Sequence, residues 1–184
     1  MNYKDYKITR DLVWDILMKE QVNQLPVSVS FLCKSLGIGI RYIVDDEKDG
    51  FSLIHNGSPR IYVRQNMLRA RQRFTAAHEL GHILLGHVGK YNLVNREPSA
   101  TDNPIEQAAN VFASRLLAPA CVLWGLKIST AEQIAQVCDI SIAAARFRAE
   151  RMRILYERNK FLTSQKERQV YKQFQSFIDR YYNN

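Results

Sequence analysis

The sequence predicts an α+β fold, in which a small antiparallel sheet packs on one buried helix and an all-helical C-terminal extension follows. Three observations carry this. Short stretches rich in β-branched and aromatic residues crowd between residues 38 and 64, with Asn56-Gly57 between two of them as a tight-turn pair. The segment Phe74 to Leu85 then repeats apolar residues at helical spacing, and from Ser129 onward only helical periods and cap signals occur. A chain of 184 residues buries one good core and leaves a few dozen residues for an appendage. The expected division is therefore a first domain over residues 1–126 and a helical region over 127–184.

Taken in order, Leu12, Val13, Ile16 and Leu17 mark a helix over residues 8–21, and a second short helix runs from Val29 to Leu36, stopped by Gly37. Strands are expected at Ile38 to Val44, Phe51 to His55 and Arg60 to Arg64. The third, with Ile61 and Val63 alternating against Arg60, Tyr62 and Arg64, is expected as an edge strand where an extended peptide could pair, with Pro59 at its start limiting unwanted pairing. The helix through Phe74 to Leu85 is followed by a polar loop from Gly89 to Asn103, long enough to act as a substrate gate. Another helix spans Pro104 to Leu117 and is closed by Pro119. Beyond it, Thr130, Ser141 and the capping box Ser164-x-x-Glu167 each open a helix.

Bulk properties narrow the setting. Apolar residues make up 46% and charged residues 24%, values of a folded globular chain rather than a disordered one. Charges scattered through residues 1–20 leave no apolar leader, and the run Leu116 to Leu126 is interrupted by Pro119 and too short for a membrane span. Cys33, Cys121 and Cys138 are odd in number and unpaired in spacing, which suits a reducing cytoplasm. The net charge is +8, and residues 145–184 contribute +6 of it through ten Lys/Arg against four Asp/Glu. That basic tail is suited to weak, non-specific contact with nucleic acid, although Val170, Phe174, Phe177, Ile178 and Tyr181 also make it an ordinary amphipathic helix.

The chemistry lies in His78-Glu79-Leu80-Gly81-His82, an H-E-x-x-H pattern. At 100° per residue the two histidines stand about 40° apart on adjacent turns, so both imidazoles can reach one ion. Glu79 lies beside them on the same broad face, where it can accept a proton from a water without being a ligand. The plainer alternative makes these ordinary polar residues of an amphipathic helix. Against it, Phe74, Ala77, Leu80, Ile83 and Leu84 mark the helix as buried, and a metal compensates two histidines and a carboxylate in a core.

A catalytic zinc ion takes three protein ligands and keeps one open position. The extended pattern with glycine and a third histidine is excluded, because Leu85 and Val88 occupy those places. Glu106 is the best candidate for the third ligand, sharing a helical face with Asn110, yet Asn103, Pro104 and Glu106 also form a respectable capping box. Spacing leaves these two readings level. His87, five residues after His82 and just past Gly86, is expected to lie beyond the helix end and point elsewhere, in a supporting or surface role; His55, beside the turn, carries no chemistry.

These residues bring a resemblance with them. The block Arg73-Phe74-Thr75-x-Ala77-His78-Glu79-Leu80-Gly81-His82 and the block Glu106-x-x-Ala109-Asn110-x-Phe112-Ala113-x-x-Leu116-Leu117-x-Pro119 are similar to those of the ImmA/IrrE family of zinc metallopeptidases. The likeness extends over most of residues 10–155. It implies a single Zn2+ held by His78, His82 and Glu106, with Glu79 as catalytic base, in a gluzincin-like, cytoplasmic endopeptidase of bacterial or phage origin. The implied substrate is a specific protein, a transcriptional repressor of a phage or mobile element.

The competing function is a DNA-binding or protein-binding regulator with a latent zinc site, since Thr130 to Glu157 resembles a helix-turn-helix. Its candidate reading helix opens with Ile142, Ala143, Ala144 and Ala145, which offer methyl groups but no donor to base edges. Docking of a protein partner fits that helix better.

Overall fold

A computed structural model describes residues 3–45, 47–89 and 103–183 of the chain. The expected gate from Gly89 to Asn103 lies almost wholly outside the described residues. Packing divides the chain into two compact units: Met1–Thr9 with Ser28–Ala113, and Arg10–Val27 with Ser114–Asn184. This groups the segment from Ser114 to Leu126 with the C-terminal helices, a different partition from the functional one drawn after Leu126.

The first unit holds the beginning of α1 (Tyr3–Lys19), α2 (Val29–Ser35), β1 (Gly39–Ile43), β2 (Gly50–His55), β3 (Ser58–Arg64), α3 (Arg69–Leu84) and most of α4 (Pro104–Leu117). The class is α+β, as the sequence indicated, with one difference inside the sheet. The hairpin β2–β3 is antiparallel, closed by Asn56 at φ 48° and Gly57 at φ 74°, both in the left-handed region that a two-residue turn matching strand twist requires. β1, however, joins β3 in parallel, so the order is β1-β3-β2 and the sheet is mixed.

β3 is therefore the central strand, paired on both sides, and it leaves no free edge for the extended peptide expected there. Pro59 is compatible with this central place because it precedes the β1 ladder, which begins at Gly39 opposite Arg60, and it faces Ile54 across the hairpin without needing an N–H. The buried face of β3 carries Ile61 and Val63, both fully buried, and α3 lies against β3 and β2. α3 begins at Arg69, a turn and more before its apolar period. Its first turn is secured by polar bonds instead: Arg71 Nε donates to Asp49 Oδ2 at 2.6 Å, and Gln72 Nε2 donates to the Gln65 carbonyl at 2.7 Å.

Two glycines set how closely these layers approach. A Cβ on Gly81 would lie 2.9 Å from the Phe112 ring, so glycine there lets α4 press against α3. A Cβ on Gly50 would meet Thr75 Cγ2 at 2.5 Å and the Tyr62 carbonyl oxygen at 2.7 Å, which fixes β2 hard against α3 in the same way.

The second unit is helical: the rest of α1, then α5 (Ala120–Gly125), α6 (Ala131–Cys138), α7 (Ile142–Glu157), α8 (Gln165–Gln173) and α9 (Gln175–Asn183). Thr130, Ser141 and Ser164 cap α6, α7 and α8 by accepting backbone N–H bonds from Gln133, Ala144 and Glu167. The single last helix expected after Ser164 is broken at the fully buried Phe174 into α8 and α9. Gln173 Nε2 donates to the Leu17 and Val22 carbonyls at 2.7 and 2.6 Å, tying α8 to the end of α1. α6 and α7 pack together, joined through Asp139 at φ 51°, a left-handed position that Asp tolerates where glycine is commoner. The stretch Pro104–Gly125 is long and apolar enough to cross a membrane, but 72% of its apolar window is buried inside the protein. Cys33, Cys121 and Cys138 are free and buried; desolvation pushes the Cys33 thiol up to about 12.

Candidate active site

The helical period of α3 sets His78, Glu79 and His82 on one side, and α4 faces them across the Gly81–Phe112 contact. His82 is fully buried and Glu79 is 3% exposed, while His78 keeps a margin of exposure. Ligand atoms of these three side chains all lie within 4.8 Å of one another, a group that could hold a metal ion. Glu106 closes the arrangement from the first turn of α4. Its Oε2 is 3.1 Å from His78 Nε2 and its Oε1 is 3.5 Å from His82 Nε2, while the two Nε2 atoms are 2.9 Å apart.

The capping alternative for Glu106 has its own answer in this geometry. Asn103 Oδ1 accepts from the Ile105 N–H at 2.9 Å, so the start of α4 has a capping side chain while the Glu106 carboxylate is turned toward the imidazoles. Hydrogen bonds from His78, then from His82, hold that carboxyl well below the usual carboxylate range.

Asn110, four residues further along α4, shares the face of Glu106 and lies 2.9 Å from His78 Nδ1. With the Asn110 amide oxygen accepting from Nδ1–H, Nε2 is the nitrogen turned to Glu106, and it would give its lone pair to a cation in place of the proton it otherwise shares with the carboxylate. One helix face therefore brackets one imidazole at both nitrogens. Two imidazole nitrogens and a carboxylate, mutually within 3.5 Å, form a donor set that a borderline divalent cation fits.

His87 lies beyond the end of α3 in a supporting place, as expected, but it does not point elsewhere. Leu85 ends α3, Gly86 takes φ 71°, and the His87 N–H bonds back to the His82 carbonyl at 2.9 Å. This reversal returns the side chain to α3, where its Nδ1 lies 3.0 Å from His82 Nδ1. The G-H pair after the helix was the signal available in the sequence. His55 stands exposed beside the hairpin turn, as expected. Ser52 escaped sequence reasoning altogether: its hydroxyl donates to Glu79 Oε2 at 2.7 Å from a strand 27 residues earlier.

A three-stranded mixed sheet backing a helix that carries H-E-x-x-H, with a second helix offering a carboxylate to the two histidines, defines a metallopeptidase-like centre. The family model described as the IrrE N-terminal-like domain, peptidase M78, matches residues 33–150, and the chain belongs to this peptidase family. No curated protein matches the chain significantly.

Proposed function

We propose that the chain is a zinc-dependent endopeptidase that hydrolyses one peptide bond in a specific protein, a phage or mobile-element transcriptional repressor. The observation that carries this is the convergence of His78, His82 and Glu106 beside the buried carboxylate of Glu79. His78 Nε2, His82 Nε2 and the Glu106 carboxylate would hold one Zn2+. When bound, zinc acts as a Lewis acid on the scissile carbonyl and lowers the pKa of water towards ~7. Glu79 accepts the proton of the attacking water and delivers it to the departing amine. Its burial excludes bulk water, so the proton stays within the site.

The extended substrate pairs with β2, which lies against α3 and is an edge strand among the described residues. In the hairpin, His55 and Ser58 flank the two-residue turn, and Arg64 N–H bonds to the Asp49 carbonyl at 2.8 Å, so the odd-numbered residues of β2 bond to β3. Gly50, Ser52 and Ile54 then present their N–H and C=O groups to the open side, where a peptide adds as a further strand.

Residues 127–184 select the protein partner, in the cytoplasm, without membrane attachment. The exposed start of α7, with Ile142 and the 83% exposed Phe147, favours protein docking over base readout. The basic tail adds weak, sequence-indifferent attraction to nucleic acid. A regulator without proteolysis is the second reading, favoured by the packed α6–α7 pair alone.

The test mixes the purified chain and zinc with the repressor encoded beside its gene, and uses Glu79→Gln as control. A single cut by the wild type and none by the variant supports the proposal. An intact repressor with both proteins transfers support to the regulator.

A further inference from the structure

Ser52 occupies a place that strand packing alone does not explain. It is the only buried residue of β2, and it faces Ile61 across the hairpin in a layer where Ile61 and Val63 are fully buried. A residue in that layer is by default apolar and β-branched, and a hydroxyl there costs about 1–3 kcal/mol if it lacks a partner. Its partner is Glu79 Oε2, at 2.7 Å, within the range for a hydroxyl donating to a carboxylate.

The bond is built into the way β2 lies along α3. Gly50 approaches Thr75 closely enough that a Cβ would sit 2.5 Å from Thr75 Cγ2, and Ser52 reaches Glu79. Two residues on a strand advance roughly 6.6 Å and four residues on a helix about 6.0 Å, so the steps 50 to 52 and 75 to 79 keep pace. The glycine contact thereby sets the depth at which the serine hydroxyl meets the carboxylate.

From this we infer that Ser52 is a positioning residue, whose hydroxyl fixes the Glu79 carboxylate in the orientation that proton transfer at this site requires. The inference rests on the reading of Glu79 as the general base. A glutamate side chain has three free torsions, and holding its terminal oxygens before the reaction removes ordering that would otherwise fall on the transition state. Ser52 also presents its backbone to the open edge of β2, so the same residue that holds the base lies beside the docked peptide.

The experiment loads four full-length proteins with zinc: wild type, Ser52→Ala, Ser52→Thr and Glu79→Gln. Metal content is measured first, then the affinity of each for acetohydroxamic acid by calorimetry. This probe binds zinc through its oxygens and sets its own polar hydrogens beside the base, so its affinity reports where the Glu79 carboxylate is held. Ser52→Ala should keep full zinc yet bind the probe roughly tenfold more weakly, the scale of one charge-assisted hydrogen bond, moving toward Glu79→Gln. Ser52→Thr, which keeps the hydroxyl on a residue suited to strands, should restore the affinity. Wild-type affinity in Ser52→Ala with a weakened Glu79→Gln would overturn the positioning role and leave Ser52 as a partner that merely satisfies a buried carboxylate. Loss of zinc in Ser52→Ala would overturn it as well, by assigning the serine to the metal site. Failure of the underlying reading looks different: the wild type takes up no zinc, or Glu79→Gln binds the probe as tightly as wild type.

Discussion

Both imidazoles of the site are held at two points. His78 meets Glu106 at Nε2 and Asn110 at Nδ1, and His82 meets His78 and Glu106 at Nε2 and His87 at Nδ1. Two-point anchoring fixes ring orientation and tautomer, which is what a histidine needs to present a lone pair to a cation. Replacing His87 with alanine should therefore lower zinc affinity about 10- to 100-fold in a chelator competition, and Asn110→Ala should do the same through His78. Unchanged affinity in both would reduce these contacts to packing. The sequence made part of this legible. That His78, Glu79 and His82 share a face follows from local helical geometry alone, and the face shared by Glu106 and Asn110 follows in the same way. The return of His87 depended on a left-handed glycine, and the Ser52–Glu79 bond depended on sheet register, neither of which a helical period encodes.

At the scale of elements, the site exists because α3 accepts close neighbours at two glycines. Gly81→Ala would place a methyl 2.9 Å from the Phe112 ring, so α4 must shift. The expected cost is about 1–3 kcal/mol of stability by thermal melting, with weaker zinc binding because Glu106 and Asn110 ride on α4. Stability loss without any change in metal affinity would separate α4 spacing from the site. The substrate edge gives a second test. Ile54 turns its N–H to the open side of β2, so Ile54→Pro should slow cleavage roughly tenfold, about one hydrogen bond, while melting changes little. The same substitution at Val63, inside the central strand, should cost stability first. Equal losses in activity and melting for Ile54→Pro would count against docking at β2. The three strands and their hairpin could be read from composition and from Asn56-Gly57. The place of β1 could not, because parallel pairing of β1 with β3 leaves no local mark in the sequence.

For the whole molecule, the charge of the C-terminal region overstates its appetite for nucleic acid. Among the ten cations of residues 145–184, Arg148 is buried and donates to the Ala118 carbonyl, Arg153 pairs with Glu150 and Glu157, and Lys166 pairs with Asp15. DNA binding should be weak, indifferent to sequence, and lost between low and physiological salt as counterion release fades. An operator reader would hold one site roughly a thousandfold or more tighter than random DNA at physiological salt, and such a footprint would favour the regulator. The central claim, however, is that His78, His82 and Glu106 hold one zinc ion while Glu79 works beside it. The measurement that bears on it most directly is zinc per chain, by elemental analysis, in purified wild type, Glu106→Ala and Glu79→Gln. The account predicts a near-stoichiometric ion in the wild type, retained by Glu79→Gln and lost from Glu106→Ala. Full zinc in Glu106→Ala, bound as tightly as in the wild type, would contradict it.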